Sequence, residues 1–261
     1  MAERSPPATG AARPSLHRLR IRYTKLGRTR FVSARDLGAV FERSLRRAAL
    51  PIAYSEGFTP HPKVSFPDAL PVGTASTGEY AELTFTAPPD LERDPARLSD
   101  ALPEGMDVLT AVGVPEGTPK LARLLPATLW ELAWPPVDAA ELTPLLSRRA
   151  EALLAADRAE VIRHRPDGDR ILDVRPALLA VVASTRRVSD VDDRTVLRAV
   201  LRNDGPTVRP SDLVTALARG EVAPPPTIVR VVQGEPLPDG VRDALGGGVE
   251  PLVIDVDAEA A

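Results

Sequence analysis

The chain has 261 residues, of which 43% are hydrophobic and 26% charged, and its formal net charge is −3. This balance is typical of a soluble globular protein with two domains of ordinary size, and it argues against a membrane protein or a disordered chain. There is no cysteine, which excludes disulfides, thiolate nucleophiles, zinc-thiolate sites and an iron–sulfur cluster held by this chain. With no secretory signal or long apolar segment, we expect a cytoplasmic protein.

The charges are distributed unevenly along the chain. Residues 16–68 contain nine Arg and two Lys against four acidic residues, a local net charge of +7. Residues 234–261 contain seven acidic residues and one Arg, a local net charge of −6. This asymmetry predicts a polyanion-binding module with an acidic tail that shields it, although a solvated surface without a partner gives the same counts.

The N-terminal half begins with an aperiodic stretch and then shows clear patterns. Residues 1–15 are rich in Pro, Ala and Gly, and we expect a disordered leader. From residue 19, apolar and basic residues alternate, which predicts a strand with Arg20 and Arg22 on one face. Ser33, three residues before Asp36, begins an apolar stripe with helical spacing, which predicts a capped helix.

Further elements complete a recognisable order. Strands are predicted at 64–66, 79–86 and 106–114, with a short helix at 94–102, which gives the order βαββαβ. This is the ferredoxin-like arrangement, with two helices on one face of an antiparallel sheet and the other face open.

A similar series of strands and helices follows a Pro/Gly-rich linker. The predicted fold is therefore α+β, with tandem ferredoxin-like domains and antiparallel sheets. The predicted boundaries are a disordered leader at 1–15, a basic domain at 16–115, a linker at 116–127, a second domain at 128–233 and a largely disordered acidic tail at 234–261.

Basic residues on the predicted strands, helix and loops form a candidate site for RNA or another polyanion. The apolar stripe of the first helix leaves its arginines on the opposite face. Arg175 and Arg209 each occur in a Val-Arg-Pro triplet, and two guanidinium groups at strand ends can clamp a phosphate. The predicted set is Arg20, Arg22, Lys25, Arg30, Arg43, Arg46, Arg47, Lys63, Arg175 and Arg209.

The sequence YSEGFTPHPK at 54–63 predicts a rigid binding loop. Pro60 and Pro62 restrict the backbone on both sides of His61, and Gly57 permits an unusual turn. General acid–base catalysis by His61, oriented by Glu56, is one interpretation; a loop that caps the sheet and a ligand-contacting loop are the others. We assign no catalytic residue. The predicted binding loop comprises Tyr54, Ser55, Glu56, Gly57, Phe58, Pro60, His61 and Pro62.

No motif in the chain predicts a cofactor or a metal site. The spacing of His and carboxylate residues matches no metal-binding motif, and no glycine-rich phosphate-binding loop occurs. We therefore expect no cofactor and no metal ion on this chain.

The stretch from residue 19 to 82 resembles the radical-SAM-associated family of unknown function, which occurs both as a free-standing protein and fused to radical SAM proteins with a cobalamin-binding-type domain. The matching segments are 22–27, 30–33, 36–37, 41–43, 45–48, 50–51, 54–63, 65–66, 70–73 and 78–80, with looser matches at 173–176 and 209–210. The resemblance implies a radical SAM enzyme as partner. It also implies RNA, because members are often encoded near ribonuclease E/G and ribosomal proteins.

Three functions agree with these observations. The first is a non-catalytic accessory protein that binds RNA, or presents an RNA-type substrate to a separate radical SAM enzyme, because this chain lacks the C-x-x-x-C-x-x-C that holds a cluster. The second is an RNA-processing or RNA-modifying enzyme that uses His61. The third is a protein–protein adaptor for a radical SAM protein.

Overall fold

The computed structural model describes residues 16–68, 70–135, 139–166, 168–189, 192–218 and 224–254. The predicted leader, 1–15, lies outside the described residues. The first half contains β1 (His17–Lys25), α1 (Ala34–Arg47), β2 (Val64–Ser65), β3 (Ala75–Phe85), α2 (Arg93–Ala101) and β4 (Val108–Val114). The second half contains β5 (Ala127–Ala133), α3 (Ala139–Ala155), β6 (Glu160–Arg163), β7 (Arg170–Asp173), β8 (Leu178–Ser189), β9 (Asp192–Arg202), α4 (Pro210–Ala218), β10 (Thr227–Leu237), β11 (Gly240–Asp243) and β12 (Val249–Pro251).

A ten-stranded, mostly antiparallel sheet runs through both halves. Its main path is β4-β1-β3-β10-β5-β9-β8, with β2 attached to β3, β11 attached to β10 and β12 attached to β11; β6 and β7 form a separate hairpin. The α+β class is confirmed. The tandem ferredoxin-like arrangement is not confirmed, because β3 and β10 pair in parallel and join the strands of the two halves into one sheet. Pairing the two strands satisfies backbone groups that separate sheets would leave at their edges.

The first core lies between the sheet and the helices α1 and α2. Ser33 accepts a hydrogen bond from the backbone N–H of Asp36 at 3.2 Å, which caps the first turn of α1. The buried stripe of α1, which includes Leu37 and Phe41, packs on alternate residues of β1 such as Ile21. Residues of α1 between these apolar positions therefore face the solvent. A second core, around Trp130 and Leu213, lies beneath α3 and α4.

The face of β1 opposite the helices, which was predicted to be open, is covered. Tyr80 of β3 packs there with Leu121, Leu125 and Leu245. These contacts bring the predicted linker and the C-terminal segment onto the sheet. Such a cover is needed because the basic side chains of this face are buried and require acceptors.

The C-terminal segment 234–261 also differs from the predicted disordered tail, as far as residue 254. The end of β10 lies there, followed by β11 and β12, and only residues 255–261 lie outside the described residues. Glycine makes this hairpin possible, because a Cβ on Gly234 would lie only 1.9 Å from the carbonyl oxygen of Arg242. The alternating apolar residues, which include Val241 and Leu252, close a third core against β5 and β9.

A three-residue ion cluster crosses the strands of the second half. Arg186 donates to both carboxylate oxygens of Glu131 at 2.8 Å, and Nε of Arg198 donates to Oε2 at 2.9 Å. Burial alone would raise the pKa of Glu131, but the hydrogen bonds and positive charges of the two arginines hold it below its ordinary value. The ionised carboxylate therefore stabilises the fold at neutral pH, and this contribution is lost as the pH falls through the lowered pKa.

We expect Glu131→Gln to lower the free energy of unfolding at neutral pH by about 1.5–3 kcal/mol, the usual range for hydrogen bonds to charged groups. In urea melts, the difference from the wild type should shrink as the pH is lowered below about 4. A difference that stays constant down to about pH 3 would contradict this assignment. Glu160→Gln is the matched control, because Glu160 is 53% exposed and pairs with Arg158 at 3.6 Å; we expect a change below about 0.5 kcal/mol.

Candidate functional site

Three of the predicted anion-binding cations are buried in the sheet. Nε of Arg20 donates to Oε2 of Glu82 at 2.7 Å, and Nζ of Lys25 donates to the carbonyl oxygen of Val32 at 2.7 Å. Burial lowers the pKa of Lys25. Together with Arg22, these side chains bind partners inside the protein, so they do not form an exposed basic face.

Arg22 is the centre of a buried polar cluster that includes residues of the C-terminal segment. Its Nη1 donates to Oδ2 of Asp243 at 2.7 Å, and its Nη2 donates to the carbonyl oxygen of Val231 at 3.0 Å. The hydroxyl of Tyr80 donates to Oδ1 of Asp243 at 3.1 Å. Burial, with the charge of Asp243, raises the pKa of Tyr80 far above its ordinary value. The tyrosine therefore stays protonated and acts as a donor.

Two other predicted cations are half-buried. Arg175 donates from Nε to the carbonyl oxygen of Leu154 at 3.1 Å and from Nη1 to that of Leu178 at 2.9 Å. Its side chain therefore connects the end of α3 to the start of β8. The guanidinium of Arg30 lies 4.7 Å from the centre of the Phe31 ring. Neither arginine belongs to the exposed basic set of α1.

The remaining predicted cations are exposed. Arg43, Arg46 and Arg47 lie on the solvent side of α1, Lys63 follows the predicted binding loop, and Arg209 precedes α4. Hydrogen bonding to Tyr54, together with the charge of Glu42, raises the pKa of Arg46. No side-chain partner is recorded for Arg43 or Lys63 within the described part of the chain.

The predicted binding loop is ordered by hydrogen bonds across its base, and residues 53–63 are called the 53–63 loop below. Lys63 N–H donates to the carbonyl oxygen of Ala53 at 2.8 Å, and Ser55 N–H donates to that of His61 at 2.8 Å. His61 N–H donates to Oγ of Ser55 at 3.0 Å. At the tip, the side chain of Phe58 is fully exposed. The loop thus holds an aromatic ring in the solvent on a closed, hydrogen-bonded support.

The ring of His61 lies outside any enclosed site described for this fold. It is 68% exposed, and its Nδ1 lies 3.9 Å from Oε2 of Glu42 on α1. The carboxylate recorded beside it is therefore Glu42, and not the predicted Glu56. His61 lines neither the cavity of about 590 Å³ between the two halves nor the cavity of about 460 Å³ beside the β6–β7 hairpin.

Helix α1 and the 53–63 loop together form one surface, which we call the α1 surface. It is the only place where several of the predicted cations come together with the predicted loop in the described part of the chain. On α1 and the loop together there are five cations, which include Arg35, and three carboxylates, those of Asp36, Glu42 and Glu56. Guanidinium groups bind phosphate oxygens, and exposed rings stack on unpaired bases. The members of the α1 surface are Arg43, Arg46, Arg47, Tyr54, Phe58, His61 and Lys63.

A second candidate site is a cavity of about 590 Å³ between the two halves. Arg209 lines it, as do Arg202 and Arg230, which no sequence pattern predicted. The Val-Arg-Pro triplet at 208–210 was a signal for Arg209. No comparable signal marks Arg202 or Arg230, because they are brought together by the pairing of their strands, β9 and β10, with β5.

The described residues contain no group of three or more His, Asp or Glu side chains suited to hold a metal ion. Among the same residues, no helix is long and apolar enough to cross a membrane.

A protein-family model matches residues 18–210, and its description is "Uncharacterized protein conserved in bacteria (DUF2344)". The match covers the α1 surface completely and ends at the first residue of α4, so β10, β11 and β12 lie beyond it. No curated protein matches the chain.

Proposed function

The chain belongs to the DUF2344 family, and we propose that it is a non-catalytic accessory protein that binds single-stranded RNA through the α1 surface. The observation that carries this proposal is the fully exposed ring of Phe58 at the tip of the 53–63 loop. Burying a phenylalanine is worth roughly 1.5–3 kcal/mol. A ring kept in water on an ordered loop therefore favours a partner that covers it.

Stacking on an unpaired base suits this ring, because every base has a flat face and the exposed loop leaves the ring accessible from solvent. Tyr54, at the base of the same loop, is 38% exposed and supplies a second aromatic group. Duplex RNA offers no splayed bases, so this geometry favours single-stranded segments, loops or ends.

The cations of the α1 surface supply the phosphate contacts. Arg43 and Lys63 have no recorded side-chain partner in the described chain, and Arg46 is 63% exposed beside Glu42. Arg47 donates to the carbonyl oxygen of Ala101, which fixes its side chain. Contacts of this kind release counterions, so we expect RNA affinity to fall steeply with salt concentration.

We also propose a radical SAM enzyme as partner, because residues 19–82 resemble the radical-SAM-associated family. This chain has no cysteine to hold a cluster, so radical chemistry would take place on a separate polypeptide while this chain presents RNA to it.

The adaptor function is the second candidate, because the exposed ring of Phe58 also suits a protein partner. Capture of a radical SAM protein from native lysate, unchanged by nuclease treatment, would support the adaptor over RNA binding. An enzyme that uses His61 has less support from the geometry, since this exposed ring lies in no enclosed site. Full RNA-processing activity of a folded His61→Ala protein would exclude it.

Replacing Phe58 by alanine is expected to weaken binding of single-stranded RNA by about 10-fold, within the ~1–3 kcal/mol typical of base–aromatic stacking. Fluorescence polarisation with a labelled single strand, compared with its duplex, measures this. Ile171→Ala is the control, because Ile171 is 72% exposed on the β6–β7 hairpin; its affinity should equal that of the wild type. Absence of salt-sensitive binding to transfer or ribosomal RNA at low ionic strength would refute the proposed function.

A further inference from the structure

The cavity between the two halves is lined by residues from distant parts of the chain. The first half contributes Ala34, the first residue of α1, and Val72 from the connection between β2 and β3. The second half contributes Arg209 and Pro210, at the start of α4. Two helices therefore begin at one cavity, and the N-terminal end of each carries a partial positive charge.

Among the charged side chains that line the cavity, cations outnumber carboxylates. Arg202, Arg209 and Arg230 face one carboxylate, that of Asp68. Arg230 is nearly fully buried and pairs with Asp68 at 2.6 Å and with Glu79 at 3.0 Å, but its Nε has no hydrogen-bond partner. Arg202 pairs with the exposed Asp204 at 3.1 Å.

Arg209 is the cation most available to a ligand. It is exposed at the cavity, and no side-chain partner is recorded for it among the described residues. Its backbone N–H is already bound by Oδ2 of Asp212, which fixes the start of α4. The backbone from which the guanidinium extends is therefore held in place, and a guanidinium fork beside helix N-termini matches the oxygens of a phosphate.

The rest of the lining combines apolar residues with Asn203, Thr207 and Gln233, and the cavity is too large for phosphate alone. Leu70, Leu125 and Val208 contribute to its wall, with Val72 at 60% exposure on the rim. Its volume of about 590 Å³ is within the ~300–1,000 Å³ of small-molecule sites. A phosphate beside Arg209 leaves the apolar part of the wall for a flat ring system.

We propose that this cavity binds a nucleoside monophosphate unit, with the phosphate on Arg209 and the base against the apolar wall. None of the seven members of the α1 surface lines this cavity, and the proposal does not depend on RNA binding there. The unit can come from a free nucleotide or from the 5′-phosphorylated end of an RNA, which share the same chemistry.

Calorimetric titration of the full chain with AMP, UMP, adenosine and inorganic phosphate tests the proposal. We expect AMP or UMP to bind at least about 10-fold more tightly than adenosine or phosphate alone. Arg209→Ala should weaken nucleotide binding by about 10-fold or more and leave adenosine unchanged. The control is Arg93→Ala, since Arg93 is an exposed residue of α2 away from the cavity lining; its affinities should equal those of the wild type.

Val72→Asp is a second variant that changes the rim without touching the core, and it should also weaken AMP binding, because it adds a negative charge.

Displacement of AMP by a 5′-phosphorylated oligoribonucleotide, but not by its 5′-hydroxyl form, would identify RNA ends as the source; absence of displacement would identify the free nucleotide. Phosphate that binds as tightly as AMP, or full AMP affinity in Arg209→Ala, would overturn the proposal. RNA binding by the α1 surface is measured separately, so each result stands alone.

Discussion

Replacing Asp243 by alanine is expected to lower the free energy of unfolding by about 3–5 kcal/mol, the cost of removing one partner from a buried ion pair. The side chain of Asp243 is 1% exposed and that of Arg22 is 8% exposed. Alanine would remove the carboxylate that the guanidinium of Arg22 and the hydroxyl of Tyr80 share, and among the described carboxylates Arg22 would keep only the more distant and more exposed Glu250, at 3.4 Å. Chemical denaturation with urea at neutral pH measures the loss.

Glu235→Ala provides the comparison within the same acidic segment. Glu235 is 60% exposed and pairs with Arg242 at the surface, so we expect a change below about 1 kcal/mol. Equal, small effects of both substitutions would mean that the C-terminal hairpin does not pack on β1 and that the segment behaves as the predicted tail.

Reversing the charges of Arg43 and Arg46 together, as Arg43→Glu/Arg46→Glu, is expected to weaken RNA binding by roughly 30- to 100-fold at low salt, since two phosphate contacts are replaced by repulsion. The dependence of the logarithm of affinity on the logarithm of salt should become shallower by about 1.4, because each contact to a single strand contributes ~0.7. Both side chains are exposed on α1, so stability should change little.

The matched control reverses two arginines of the second half, Arg158→Glu/Arg187→Glu. These side chains are 78% and 69% exposed, and the variant has the same net charge as the first. If affinity depends only on net charge, both variants will bind RNA equally weakly, and the α1 surface would lose its assigned role. Loss confined to the Arg43 and Arg46 variant would support it.

The acidic C-terminal segment pairs with Arg22 on the arginine face of β1 and leaves the described α1 surface exposed. Charge counts predicted that this segment shields a basic module. In the fold, Asp243 and Glu250 both pair with Arg22. Shielding therefore occurs by burial of a single strand face, while Arg43, Arg46 and Lys63 remain at the surface.

Local patterns in the sequence were sufficient for several elements and for part of the site. Ser33 and Asp36 mark the start of α1, and the stripe from Leu37 to Leu45 identifies the buried face, because both signals act within a few residues. The exposure of Arg43 and Arg46 follows from the same helical spacing. The Pro and Gly residues around His61 likewise indicate an ordered loop.

The alternation in β1 could not show which face would be covered. Leu19, Ile21 and Tyr23 pack under the helices, as their hydrophobicity suggests, but Arg20 and Arg22 are buried as well. Their acceptors, Glu82 and Asp243, come from 62 and 221 residues away along the chain. A charge count over a short stretch of sequence treats such arginines as solvated, because the carboxylates that pair with them lie outside that stretch.

Composition and local periodicity thus determined the α+β class, the absence of any cysteine-held cluster and the basic face of α1, since each depends on residue types or on neighbours within a helical turn or two. Only the tertiary structure decided that the two halves share one sheet, that the acidic end of the chain neutralises Arg22, and that Arg202, Arg209 and Arg230 line one cavity. These outcomes depend on strand pairing and side-chain burial between residues far apart in the chain, which no local pattern specifies.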